Sequence, residues 1–173
     1  MFRGAKISIG PMLPNDGPAM FRWFNDVEAA ALDLAFRPMD WITFKSWAES
    51  LAKDSSRVLF AIRRIDQPAI IGFVGITNIH PVHRSAELGV RIGEATDRGH
   101  GFGREATGLA LDYCWNHLNL NRVALSTLAG NERAIRSFAR AGFEREGVAR
   151  RAAYIDGKWH DLVIMGVLRP DRA

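Results

Sequence analysis

Arg98-Gly99-His100-Gly101-Phe102-Gly103 closes a polar loop and opens an apolar-periodic helix, and the reading of this run decides the fold. Its three alternating glycines lack Cβ atoms, so the backbone can turn sharply and bring several N–H groups toward one point. The helix that follows adds unpaired first-turn donors and the positive end of its dipole. Together these make a cradle for an anion of pyrophosphate size. The plainer alternative is a glycine-rich turn that only connects a strand to a helix.

Working outward from the run separates it from two other glycine loops. In a dinucleotide-binding fold the first glycine follows its strand almost at once. Here Gly93-Glu94-Ala95-Thr96-Asp97 stands between an apolar strand at 88–92 and Arg98. Gly101-x-Gly103-x-x-Ala106 does match the dinucleotide spacing, yet no acidic residue ends the next strand, 122–128, to hold a ribose. A nucleotide triphosphatase loop needs Gly-Lys-Ser/Thr, which is absent from this run.

A chain of 173 residues without a linker reads as one domain able to bury a substantial core. Hydrophobic residues at 47% and charged residues at 24% are ordinary for a globular protein. The net charge of +4 comes from basic residues scattered among 19 acidic ones rather than from tracts. That distribution points to a phosphorylated small molecule as partner and away from nucleic acid. The single Cys114 cannot form an internal disulfide, and no signal-peptide pattern or bilayer-length apolar run is present. The expectation is therefore a cytoplasmic protein without a membrane partner. One cysteine and five dispersed histidines show no ligand spacing, so no metal is expected.

Around the run, periodicity predicts strands at 6–13, 57–64, 69–79, 85–92, 122–128, 148–155 and 158–168. Asn15 or Asp16 can cap a helix with Met20, Phe21 and Phe24 on its apolar face, and Asp40 can cap another through Phe44, Trp47, Ala48 and Leu51. Residues 29–39 read as a loop between them, and Trp23, Trp41 and Trp47 as core packing. After the glycine run, Ala106, Leu109, Ala110, Tyr113 and His117 form the stripe of a crossover helix, which should set the strands at 85–92 and 122–128 parallel. Cys114 reads as filler beside that stripe. Asn131 can cap a further helix that Gly142 ends, with Ala134, Ile135 and Phe138 inside and Arg133, Arg136 and Arg140 outside. Asp156-Gly157 signals a two-residue hairpin turn.

Arg98-x-x-Gly101-x-Gly103 and Asn131-x-x-Ala134-x-x-x-Phe138-x-x-x-Gly142-Phe143, in this order and spacing, resemble the two signature segments of the GNAT superfamily of acetyl-CoA-dependent N-acetyltransferases. Ala86-Glu87-Leu88-Gly89 and Tyr154-x-Asp156-Gly157-x-Trp159-x-Asp161 look like the branch of ribosomal-protein alanine and spermidine N-acetyltransferases. The resemblance covers nearly the whole chain. It implies an α/β (α+β) fold with a mixed, twisted sheet of about six to seven strands, splayed at the centre and flanked by about four helices. It also implies acetyl-CoA as acyl donor, an amine acceptor that is a small molecule or a protein N-terminus, and room for a homodimer. By the same similarity, main-chain groups of Val90, Arg91 and Ile92 would pair with the pantetheine arm. The amides of Arg98, Gly99, His100, Gly101, Phe102 and Gly103 would hold the pyrophosphate, and Asn131 would reach the arm from the far side. Arg133 or Arg140 would approach the adenosine phosphate, and Phe138 would pack against the donor. A solvated helix face is the plain reading of those arginines.

Acetyl transfer needs an uncharged amine, and Glu87 is the expected base, directly or through water. A salt bridge to Arg84 or Arg91 is its alternative role. Many family members carry a tyrosine where this chain has Phe138, and phenylalanine cannot protonate a departing thiolate. Either Ser137 or Tyr154 substitutes, or the thiolate leaves unaided, as a thiol pKa of about 8.5 permits. A non-catalytic acyl-CoA sensor and a structural subunit are the competing classes: the missing tyrosine favours the sensor, whereas Glu87 and the intact glycine run favour an enzyme. The loop at 29–39 and the hairpin turn offer only Asp33 and Asp156 as acids, beside Arg37, Arg150 and Arg151. This favours a peptide or protein α-amine, or a small amine of that basicity, over a polyamine.

Overall fold

The computed structural model describes residues 1–30, 36–51 and 53–171. Strands β1 (Phe2–Arg3), β2 (Ile7–Gly10), β3 (Val58–Arg64), β4 (Ile70–His80), β5 (Ser85–Ile92), β6 (Arg122–Leu128), β7 (Glu144–Ile155) and β8 (Lys158–Leu168) form one sheet. Their order is β1-β2-β3-β4-β5-β6-β8-β7. Neighbours run antiparallel except β5 and β6, the pair joined by the crossover helix α4 (Phe102–Asn116). The other helices are α1 (Gly17–Phe24), α2 (Val27–Ala30), α3 (Trp41–Leu51) and α5 (Glu132–Ala139).

Strand alternation sorts the side chains into two layers. Ile7, Ile9, Ile62, Val74, Ile76 and Leu88 pack with Ala106, Ala110 and Cys114 of α4 and Phe138 of α5. On the opposite face, Leu59, Ala61 and Phe73 meet Met20 and Trp23 of α1 and Phe44 of α3. Rings of Phe21, Phe24, Trp41, Phe44, Trp47 and Phe73 interlock there with centroids 5.1–6.1 Å apart, so the early tryptophans do serve packing.

Several local readings shift. An eighth strand appears because β1 has two residues, too few to show a period. The four-residue α2 takes the start of the expected loop at 29–39, and residues 31–35 lie outside the described residues. The buried side of α4 is Phe102, Ala106, Thr107, Ala110, Leu111, Cys114 and Trp115, turned from the expected stripe. Tyr113 and His117 instead meet the ring of Phe2, and Tyr113 that of Phe60. Asp16 does not cap α1 through its side chain: it accepts from the Leu13 amide at 2.7 Å and pairs with buried Arg63. The Asp40 cap forms as expected, with the Thr43 amide at 2.9 Å. Asp156 and Gly157 take φ of 48° and 77°, the left-handed pair that a tight hairpin turn needs.

The sheet is open at its centre. Parallel pairing runs through Ser85–Arg122, Ala86–Val123 and Glu87–Ala124 and then stops. Beyond it β5 stays with β4 as far as Gly72–Ile92, and β6 stays with β8 as far as Leu128–Leu162. Glycine makes the β4 side of this wedge possible, since a Cβ on Gly72 would lie 2.3 Å from the Arg91 carbonyl oxygen. At the tip of β5 the Trp23 indole lies against Gly93, where a Cβ would stand 2.0 Å from the ring. Both glycines allow the β5 end to lie close against β4 and α1.

Candidate active site

The wedge between β5 and β6 opens into a cavity of about 530 Å³. Its floor is Leu88 to Ile92, whose edge toward β6 carries no strand. One wall is the run 97–104 and the other is Ser126, Thr127 and the inner side of α5.

The glycine run turns through two left-handed residues. Gly99 and Gly101 have φ of 86° and 85°, in the left-handed region that side chains disfavour, and a Cβ at either would enter open space. Gly101 is the residue that caps α4, and its carbonyl accepts from the Glu105 amide at 3.0 Å. The amides of Phe102, Gly103 and Arg104 precede that first helical bond and have no acceptor within the helix. All three residues line the cavity, and unpaired donors at a helix start favour an anion.

Side chains around the run hold it rather than fill it. Arg98 donates from Nε to the Ile92 carbonyl at 3.2 Å and from Nη2 to that of Gly93 at 2.6 Å, so its guanidinium fastens the loop to β5. Lys6 donates to the His100 carbonyl at 3.4 Å, and the His100 ring stacks on Phe102, which is buried. Glu105 accepts from the Lys6 amide at 2.8 Å, tying α4 to β2. Glu94 accepts from the Trp23 indole at 2.9 Å. The loop is thereby braced from β2, β5 and α1.

Across the cavity, Asn131 caps α5 through its Oδ1, which accepts from the Ala134 amide at 3.1 Å. Arg133, Arg136 and Arg140 are exposed, yet all three line the cavity. The solvated face and the cavity-facing side of α5 are therefore one surface. With Arg104 these arginines line the cavity with cationic side chains, Arg136 also pairing with Glu132 at 2.8 Å. Ser137 is half-buried and Phe138 is buried, and both line the cavity, with Phe138 edge-on to Phe143.

Glu87 is exposed and stands at the apex of the wedge, on the face of β5 shared with Gly89 and Arg91, next to the cavity lining that begins at Leu88 but not itself part of it. It makes no ion pair among the described residues. Arg84 instead donates to the Asn119 main-chain carbonyl and side chain, and Arg91 donates to the Trp23 carbonyl at 3.1 Å beside the rings of Phe24 and Phe73. Tyr154 sits on β7 against Trp159, 53% exposed and outside the cavity lining. Of the two thiol-protonating candidates, only Ser137 faces the cavity. Cys114 is fully buried and burial pushes its thiol up to about 12, which agrees with a filler role.

A family model of the acetyltransferase (GNAT) domain matches residues 6–144. The chain belongs to the GNAT family. Relatives within it include the spermidine N(1)-acetyltransferase of Vibrio cholerae, 33% identical over 60% of this chain and 59% of that protein. The ribosomal protein uS5 alanine N-acetyltransferase of Escherichia coli is 29% identical over 78% of this chain and 69% of its own length. Across several curated relatives the chain matches little more than half of their length, 55% to 59%. The crystal structure of spermidine N-acetyltransferase from Vibrio cholerae in complex with CoA and spermine superposes with a TM-score of 0.86, at 23% identity, over 94% of this chain and 95% of that one. That likeness shows the GNAT fold.

Some cavity residues escaped sequence reading. Leu88, Gly89 and Ala134 carry the family resemblance without an assigned role, and Asp97, Arg104 and Arg136 have no site role in the sequence. Ser126 and Thr127 carry a weak signal, two adjacent hydroxyls in a strand expected to be buried. No three-ligand cluster suited to a metal occurs among the described residues, and no helix there is long and apolar enough to cross a membrane.

Proposed function

We propose that this chain is an acetyl-CoA-dependent N-acetyltransferase that acetylates the α-amine of a peptide or protein, or a small amine of similar basicity. The observation that carries the reading is the end of parallel pairing at Glu87–Ala124, with a glycine cradle at the mouth of the wedge that follows. Acetyl-CoA, when bound, supplies an activated acyl thioester. The amides of 98–103 would receive its pyrophosphate, and the free edge of Val90, Arg91 and Ile92 would pair with its pantetheine arm. Asn131, Phe138, Arg133 and Arg140 would border it from α5.

In this reading Glu87 takes the proton of the attacking amine at the apex of the wedge, directly or through water. Ser137 is the hydroxyl that can return a proton to the departing sulfur. Phe138 shields the thioester from water. An α-amine of pKa near 8 asks less of one carboxylate than a lysine-like amine near 10.4. The acceptor amine is the partner and the cytoplasm the compartment in this account.

A polyamine acceptor is the second reading, favoured by the spermidine enzymes among the relatives. Acetylation rates for N-terminal peptides and for spermidine, measured at equal concentration, test the choice. Faster acetylation of the peptides is expected; a strong preference for spermidine would move the assignment to polyamines.

A further inference from the structure

We infer that Arg64 is a positioning residue for the donor loop, neutralising the Asp97 carboxylate that otherwise opposes an incoming pyrophosphate. The inference rests on the reading of the wedge as a coenzyme A site. Asp97 stands directly before the glycine run, lines the cavity, and has a side chain 13% exposed. It sets a negative charge at a site otherwise built for a phosphate, and charges near a protein surface interact across several ångströms. A cavity shaped only by anion affinity would not keep an acid there.

Arg64, at the end of β3, resolves the conflict. Its Nη2 donates to Asp97 Oδ1 at 2.5 Å, while its guanidinium carbon lies 5.2 Å from the centroid of the Phe102 ring. Asp97 precedes the run and Phe102 lies near its end, so the compensating charge of one side chain sits beside both. The placement carries a cost: Arg64 Nε is buried and has no hydrogen-bond partner among the described residues. Mere space-filling beside Phe102 would not call for a charged group with an unmet donor. Arg98 cannot share the task, since its guanidinium is committed to the Ile92 and Gly93 carbonyls.

Calorimetric titration of coenzyme A into the wild type, R64M, R64K, D97N and R64M/D97N tests this. Wild-type binding checks the underlying site reading by itself. R64M should then bind about tenfold more weakly, because the Asp97 charge is left uncompensated. R64M/D97N should regain most of that loss, R64K should stay within about threefold of wild type because it keeps the charge, and D97N should bind more tightly. In turnover the R64M effect should appear in KM for acetyl-CoA rather than in kcat at saturating donor. A double variant as weak as R64M would overturn the inference, as would R64K as weak as R64M. D97N needs no loss of the arginine, so it decides the matter even if R64M fails to fold: weaker binding by D97N contradicts the proposal.

Discussion

Glu87 and Ala124 form the last parallel pair between β5 and β6, so the carboxylate stands where the sheet begins to open. In the proposed reaction a base at this apex would act on the amine that attacks a thioester held in the wedge. Glu87→Gln should lower kcat by about 10² to 10⁴, the usual range for a lost general base, with coenzyme A affinity retained. The remaining rate should rise with pH toward the acceptor pKa, since the amine must then shed its proton unaided. A pH–rate profile with purified variants checks both, and near-wild-type turnover would remove Glu87 from the mechanism.

Arg122 and Glu146 join β6 to β7 across Gly166, where a Cβ would lie 2.3 Å from Glu146 Oε1. The hydrogen bonds from Arg122 hold the Glu146 carboxyl below its usual 4.5. Its folded value is depressed, so the pair's contribution is present in full above the unfolded value and is lost as pH falls through the folded one. The pair is partly exposed, which limits that contribution to about 1 kcal/mol. Urea melts of wild type and Glu146→Gln should differ at pH 7, and the difference should shrink as the pH falls below the ordinary carboxyl value.

Asp16 and Arg63 are buried together beneath α1, each side chain 6% exposed. Asp16→Ala would leave the guanidinium unpaired in a dry site and should cost about 3–5 kcal/mol. Removing both charges in D16A/R63M should restore much of the loss. Thermal melts of the three proteins read this directly.

Much of this arrangement was legible in the chain. The Asp40 cap, the parallel crossover, the Asp156-Gly157 turn and the left-handed glycines at 99 and 101 follow from local rules that tertiary structure left intact. What stayed hidden depends on distant partners. Asp16 looks like a helix cap until Arg63 approaches it, and nothing local shows that the Arg98 guanidinium fastens to the Ile92 and Gly93 carbonyls. Tyr154 is near Asp156 in the sequence, but pairing with Trp159 keeps it on the outer hairpin, outside the cavity lining. Periodicity also misjudged α4, because helices and strands on two sides bury more of it than one stripe.

Cys114 offers a check on the core. With its thiol pushed up to about 12 by burial, almost no thiolate exists at pH 8. A disulfide reagent should label it no faster than the protein unfolds, and completely in denaturant. Rapid labelling of the native protein would contradict the packing of α4. The expected inertness also leaves an assay of released coenzyme A thiol free of background.

That assay is the most direct test of the account. The wild type, incubated with acetyl-CoA, should release free thiol in proportion to added peptide amine and form the acetylated peptide. Gly101→Asp, which places a carboxylate and a Cβ in the cradle at φ 85°, should bind coenzyme A at least about a hundredfold more weakly and release none above background. Coenzyme A binding without amine-dependent thiol release from any acceptor would make the protein a sensor. Unchanged donor affinity in Gly101→Asp would contradict the assignment of the wedge itself.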